Sequence, residues 1–122
     1  MVNSQFQLYL APFQGITDAV YRTSLARWFG GVNAVFTPYI SGTGVEKVSK
    51  NKLVDVMPLA NQGVRTIPQM LSKDAVEMLL LGKALADLGY TEANWNLGCP
   101  FPRVANKKRG SGLLPYPEMV RA

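Results

Sequence analysis

Apolar positions along this chain fall into two kinds of block: short runs of β-branched and aromatic residues, and longer stretches with helical spacing. Residues 7–12 (Gln-Leu-Tyr-Leu-Ala-Pro) read as a strand that stops at a proline. Gly15 then breaks the chain, and Thr17 is placed to cap a helix with Asp18 in its first turn. Tyr21, Leu25, Trp28 and Phe29 recur at i, i+4, i+7 and i+8, the stripe of a packed helix, and Gly30-Gly31 ends it. Residues 32–37 form a second predicted strand, closed by Pro38. The stretch 39–64 is less regular, with a loop at 41–44 and room for a short helix between Glu46 and Val56. Residues 65–71 read as a third strand, although Pro68 would normally demote it to an edge or a bulge. Ser72 is a good cap for a helix striped by Val76, Leu80, Ala84 and Leu88, widened by Leu81 and Leu85 and ended by Gly89. Residues 92–97 alternate polar and apolar as a fourth strand, ended by Gly98-Cys99-Pro100.

The order β-α-β-(α)-β-α-β, with no hairpin signal, calls for α/β architecture: a parallel sheet with helices outside. A (β/α)8 TIM barrel takes about 250 residues, roughly 31 per unit. The 122 residues here make about four units, the N-terminal half of such a barrel. Residues 115–120 carry the marks of a further helix start, with proline early and an acid beside it. The chain, ending at Ala122, is therefore expected to be partial. Its unpaired edge strand and half-covered core would favour self-association.

Composition narrows the chemistry. Apolar residues make up 48% and charged residues 17%, an ordinary globular balance. No apolar run approaches the length of a membrane span, and the first five residues lack the marks of a signal peptide. One cysteine cannot form an internal disulfide, so the expected setting is reduced and cytoplasmic. With no histidine, His-ligated metal sites and Ser-His or Cys-His catalysis are excluded within this chain, and no metal-ligand spacing is found. The net charge of +5 mildly favours a polyanionic partner.

Three strand-to-loop junctions carry candidate chemistry. Cys99, between glycine and proline after a strand, sits at the rim where barrel enzymes place their active sites, although from spacing alone a buried inert cysteine is the plainer reading. Pro12-Phe13-Gln14 is a second junction, and Gln69 sits at or near the end of the third strand. Arg103, Lys107, Lys108 and Arg109 form a basic loop before Gly110-Ser111-Gly112, suited to phosphate or to a nucleic-acid backbone. A solvated charged loop is the plainer reading of those cations. Lys47, Lys50 and Lys52 form a weaker cluster.

Together these residues are familiar. Leu10-Ala11-Pro12-Phe13-Gln14-Gly15-Ile16-Thr17-Asp18, then Tyr21-Arg22, resembles the opening Ala-Pro-Met-x-Gly-Val-Thr-Asp…Phe-Arg of tRNA-dihydrouridine synthases. Pro68-Gln69-Met70-Leu71 is similar to that family's third-strand segment. Asn96-Leu97-Gly98-Cys99-Pro100, followed by Val104 and residues 110–114, resembles its catalytic loop. The resemblance implies an FMN-dependent barrel followed by a small helical RNA-binding domain, reducing uridine to 5,6-dihydrouridine in tRNA with NADPH as reductant. It further implies that Cys99 is the general acid, a role suited to a thiol, whose free pKa of roughly 8.5 keeps it protonated at neutral pH.

Carried over by position, Pro12, Phe13 and Gln14 would line the FMN ring, Gln69 would hydrogen-bond it, and Asn96 would hold substrate or flavin. Arg103, Lys107, Lys108 and Arg109 would approach the tRNA. Phe13 and Gln14 depart from the family's Met and small residue, which bears on the flavin-face contacts. The family's later Lys and His, phosphate loop and helical domain have no counterpart within these residues, so the chain alone is expected to be inactive. Two rival readings are a short, non-catalytic RNA-binding or scaffold module and another FMN barrel acting on a free pyrimidine.

Overall fold

The computed structural model describes residues 6–42 and 47–121. Its elements run β1 (Tyr9–Leu10), α1 (Ala19–Trp28), β2 (Ala34–Phe36), α2 (Lys50–Leu53), β3 (Thr66–Ile67), β4 (Gln69–Met70), α3 (Ala75–Asp87), β5 (Asn94–Trp95), α4 (Pro102–Ala105) and α5 (Pro117–Arg121). The expected loop residues Thr43 and Gly44, the helix start at Glu46, and Ala122 lie outside the described residues. Every pairing between the named strands is parallel, as the missing hairpin signals required: β1 with β2, β2 with β3, and β4 with β5. Among the described residues no helix is long and apolar enough to cross a membrane.

Pro68 lies where the last strand of the three-stranded sheet β1-β2-β3 gives way to the two-stranded sheet β4-β5. It is fully buried between β3 and β4 and marks where one extended segment changes partners. Before it, Val35 pairs with Thr66 and Phe36 with Ile67; after it, Gln69 pairs with Asn94 and Met70 with Trp95. The missing N–H is tolerated because β5 begins at Asn94, level with Gln69, and the Pro68 carbonyl accepts from the Asn94 N–H at 2.8 Å. On the other side the ladder continues through a side chain, since the Gln69 N–H donates to Thr37 Oγ1 at 3.0 Å. A bridge between Ile40 and Met70 then rejoins the two segments.

The helices differ from expectation in which residues face inward. Asp18, not Thr17, caps α1 and accepts from the Tyr21 N–H at 2.9 Å. Thr17 is buried, its hydroxyl oxygen accepting from the Phe13 N–H at 2.8 Å. The Tyr21, Trp28 and Phe29 face of α1 is exposed, and the helix instead buries Ala19 and Arg22. Arg22 holds that position because its two terminal nitrogens find four acceptors there, which leaves only its buried Nε without a partner among the described residues.

Likewise Asp74, not Ser72, caps α3 and accepts from the Glu77 N–H at 2.9 Å. Ser72 lies buried before the helix, donating to the Glu77 carboxylate and accepting from the Asp74 N–H. The inward stripe of α3 is Glu77, Leu81 and Leu85, while Val76 is exposed. Leu81 and Leu85 form the core with Ile40 and Val56, and full burial of each leucine stabilises by roughly 1.5–3 kcal/mol. Tyr90 closes the edge of this core. Its hydroxyl donates to the Val56 carbonyl at 2.8 Å, and burial raises its phenol above the ordinary 10.0.

Candidate active site

The parallel strands bring their C-terminal ends to one rim, and a cavity of about 810 Å³ opens there. Pro12, Phe13 and Gln14 reach it from the loop after β1, Gln69 from β4, and Asn96 and Cys99 from the loop after β5. Residues from three separate junctions thus share one cavity. Pro38 and Tyr39, after β2, and Asn94, on β5, line it too, although the sequence reading did not single them out. A signal for Asn94 was present, because residues two apart on a strand share a face and Asn96 was already a candidate.

A chain of side-chain amides crosses the cavity wall. The Gly98 and Cys99 N–H groups donate to Asn96 Oδ1 at 3.1 and 3.0 Å. Backbone N–H groups can only donate, so this bond fixes the Asn96 amide with its nitrogen away from the loop. That nitrogen donates to Gln69 Oε1 at 2.9 Å, and Gln69 Nε2 donates to Asn94 Oδ1 at 2.8 Å. Asn96 is left with one free N–H, and the Asn94 amide nitrogen has no protein partner among the described residues.

Cys99 is half-buried and free of any disulfide. The segment after it folds back under it. The short helix α4 buries Val104, and the turn Gly110–Leu113 buries Leu113 completely. Ser111 donates both its N–H and its hydroxyl to the Cys99 carbonyl, each at 3.0 Å. Glycine is needed beside it: a Cβ on Gly110, whose φ is +56°, would lie 2.7 Å from the Cys99 oxygen. One on Gly112 would lie 2.1 Å from the Ala105 carbonyl oxygen.

The loop after β1 is held by charge. Arg22 is fully buried and donates to the Thr17 carbonyl at 2.7 Å, to Asp55 Oδ2 at 2.8 Å and Asp55 O at 2.7 Å, and to Asn61 Oδ1 at 2.6 Å. Asp55 Oδ1 in turn accepts from the Ala19 N–H at 2.7 Å. Asp55 also lines a second cavity, of about 400 Å³, which shares Gln14, Pro38 and Tyr39 with the first.

The four expected RNA-facing cations do not share one environment. Arg103 and Lys107 are exposed. Lys108, at φ +55°, places its ammonium 4.2 Å from the centroid of the Tyr116 ring, a cation–π contact. Arg109 is half-buried, its Nη2 4.0 Å from Glu77 Oε2. None of the four lines the large cavity. Lys47 and Lys50 are exposed, while the Lys52 ammonium donates to the Ser41 and Gly42 carbonyls.

Comparison with known proteins assigns the chain to a family. A family model described as Dihydrouridine synthase (Dus) matches residues 9–122. The tRNA-dihydrouridine synthase B of Salmonella typhimurium is 33% identical over 116 residues, covering 95% of this chain and 35% of its own length. The Escherichia coli K12 protein of the same name is 32% identical with the same coverage. The tRNA-dihydrouridine(16) synthase of Neisseria meningitidis is 30% identical over 119 residues, 93% of this chain and 35% of its own. The chain thus spans about a third of the length of the curated relatives it matches. No solved structure matches.

Proposed function

The chain belongs to the dihydrouridine synthase family, and from that premise we propose that the whole protein reduces uridine to 5,6-dihydrouridine in tRNA. In this reading residues 1–122 supply the N-terminal half of a (β/α)8 barrel. The rest of the barrel and a helical RNA-binding domain lie outside these residues. The short coverage of the relatives and the parallel strand order support that division.

The cavity residues fit a flavin. Its volume, about 810 Å³, is within the roughly 300–1,000 Å³ of small-molecule sites. Pro12, Phe13 and Tyr39 offer apolar walls, and Gln69 and Asn94 carry amide N–H groups beyond those used in their mutual bond. FMN, recharged by NADPH, would supply hydride to C6 of the uracil ring. Pro12, Phe13 and Gln14 would line the site for the flavin ring system, and Gln69 would offer it a hydrogen bond. Asn96 contributes the one N–H that Gln69 leaves free, to substrate or flavin.

Cys99 Sγ holds the proton that goes to C5, and hydride plus proton complete the reduction of the C5=C6 bond. The sulfur regains its proton from solvent. Arg103, Lys107 and Lys108, all exposed, would approach the tRNA backbone, with the half-buried Arg109 next to them in sequence. The target base leaves its stack to reach the cavity. The 122-residue chain alone is expected to bind FMN weakly and not to turn over.

The observation that carries this reading is Cys99 lining a cavity that it shares with amides from two other strand ends. The test is Cys99→Ala in the full-length protein. FMN should stay bound and reducible by NADPH, while dihydrouridine formation in folded tRNA falls by at least about a hundredfold. Turnover surviving within a few-fold would remove Cys99 from the acid role. Reduction of a free pyrimidine without tRNA would remove the substrate assignment.

A further inference from the structure

Ser111 lies twelve residues beyond Cys99 and outside the cavity lining. Its N–H and its hydroxyl nevertheless converge on one atom, the Cys99 carbonyl oxygen, both at 3.0 Å. The opposite side of Cys99 is also held, since its N–H donates to Asn96 Oδ1 at 3.0 Å. These two contacts grip different peptide planes. The N–H belongs to the plane shared with Gly98, and the carbonyl to the plane shared with Pro100. Peptide units are flat and rigid, so holding the planes on both sides sets the φ and ψ of Cys99 and hence the direction of its Cα–Cβ bond. The sulfur then has one rotor left, χ1, with three staggered positions.

We infer that Ser111 is a positioning residue for Cys99, clamping its carbonyl so that the thiol is presented to the cavity from a fixed backbone. The inference rests on the function proposed above, in which Cys99 delivers a proton. Two features say that the clamp is built for contact. Gly110 lets the Ser111 segment approach where any side chain would collide with the Cys99 carbonyl. Leu113, completely buried one turn on, anchors that segment to the body of the fold. The Ser111 hydroxyl makes no other hydrogen bond among the described residues. Its removal therefore loosens the cysteine and little else. Proton delivery depends on where the sulfur stands relative to the substrate carbon, whereas loading the flavin with hydride does not.

The experiment separates the two half-reactions in the full-length, FMN-loaded protein by stopped-flow absorbance under anaerobic conditions. Flavin reduction by NADPH is followed first, then reoxidation on mixing with unmodified tRNA, for wild type, Ser111→Ala, Ser111→Thr and Cys99→Ala. Ser111→Ala is expected to reduce at the wild-type rate and to reoxidise about tenfold more slowly at saturating tRNA, with KM for tRNA within twofold. Ser111→Thr, which keeps the hydroxyl, should stay within about twofold of wild type in both phases. Reoxidation of Ser111→Ala at the wild-type rate would overturn the inference, as would equal slowing of both phases. If Cys99→Ala itself reoxidises at the wild-type rate, the function proposed above fails. If Cys99→Ala is dead and Ser111→Ala is intact, only the clamp fails.

Discussion

Two loops meet at the same rim and are held by opposite physics. The loop after β1, carrying Pro12, Phe13 and Gln14, hangs on a buried guanidinium: Arg22 grips its far end through the Thr17 carbonyl and is neutralised by Asp55. The loop after β5, carrying Cys99, is held by neutral amides, backbone N–H groups and glycines that allow close approach. A buried charge is close to all-or-none, because losing one partner leaves the other without compensation. A set of neutral bonds is graded, each net contribution being about 1 kcal/mol. The first loop is therefore expected to fail by unfolding locally, and the second by losing aim while staying folded.

Substitutions can break this contrast. Asp55→Ala leaves the fully buried Arg22 without its carboxylate and is expected to cost about 3 kcal/mol, the lower end for a buried pair because the Asp55 side chain is 36% exposed, read from urea unfolding of the full-length protein. A loss under 1 kcal/mol would show that solvent reaches Arg22 and that the first loop is not held by charge. Gly112→Ala is expected to cost less, about 1–3 kcal/mol, because the Ala105 carbonyl must give way to a Cβ built 2.1 Å from it. Unchanged stability there would mean the turn relaxes freely and does not fix the Cys99 loop.

The smallest effect concerns pH and sharpens the picture of the charged side. Tyr90, bonded to the Val56 carbonyl next to Asp55, has its phenol raised chiefly by burial, with Arg22 opposing and Asp55 reinforcing the shift. Below pH 10 the phenol is protonated in both folded and unfolded chains and stability does not depend on it. Above the ordinary value of 10.0 the unfolded chain releases its proton first, so stability should fall with rising pH until the raised folded value is passed. Tyr90→Phe should flatten that decline in unfolding curves measured on either side of pH 10. An unchanged slope would mean that the phenol titrates alike in both states.

The element order was legible because it depends on local pattern. Proline stops after the first two strands, glycine stops after α1 and α3, and the absence of a hairpin turn together imply parallel strands, and the same pattern puts Pro12, Gln69 and Cys99 at or near strand ends. The caps were misread by one residue at α1 and two at α3, since Thr17 and Asp18, or Ser72 and Asp74, have near-equal capping chemistry. Only the path of the chain decides which of each pair faces a free N–H group. The facing of α1 was misread for a stronger reason. Its apolar residues mark a helical face, but the side against the protein is chosen by Arg22, whose acceptors come from residues up to 39 positions away.

The amino-acid sequence by itself determined the alternation of strands with the two long helices, their parallel pairing and the cysteine after the last strand, because these follow from spacing and from what proline and glycine permit; the split of the third predicted strand into β3 and β4 and the short helix α4 were not in it. The tertiary structure alone decided that Pro68 is a buried partner switch, that Asn94 joins Gln69 and Asn96 in one amide chain, and that Ser111 reaches back to Cys99. Those outcomes are contacts between residues 12 to 32 positions apart. A hydrogen bond has a direction and a length but no local signature, so it becomes visible only when folding has brought its two ends together.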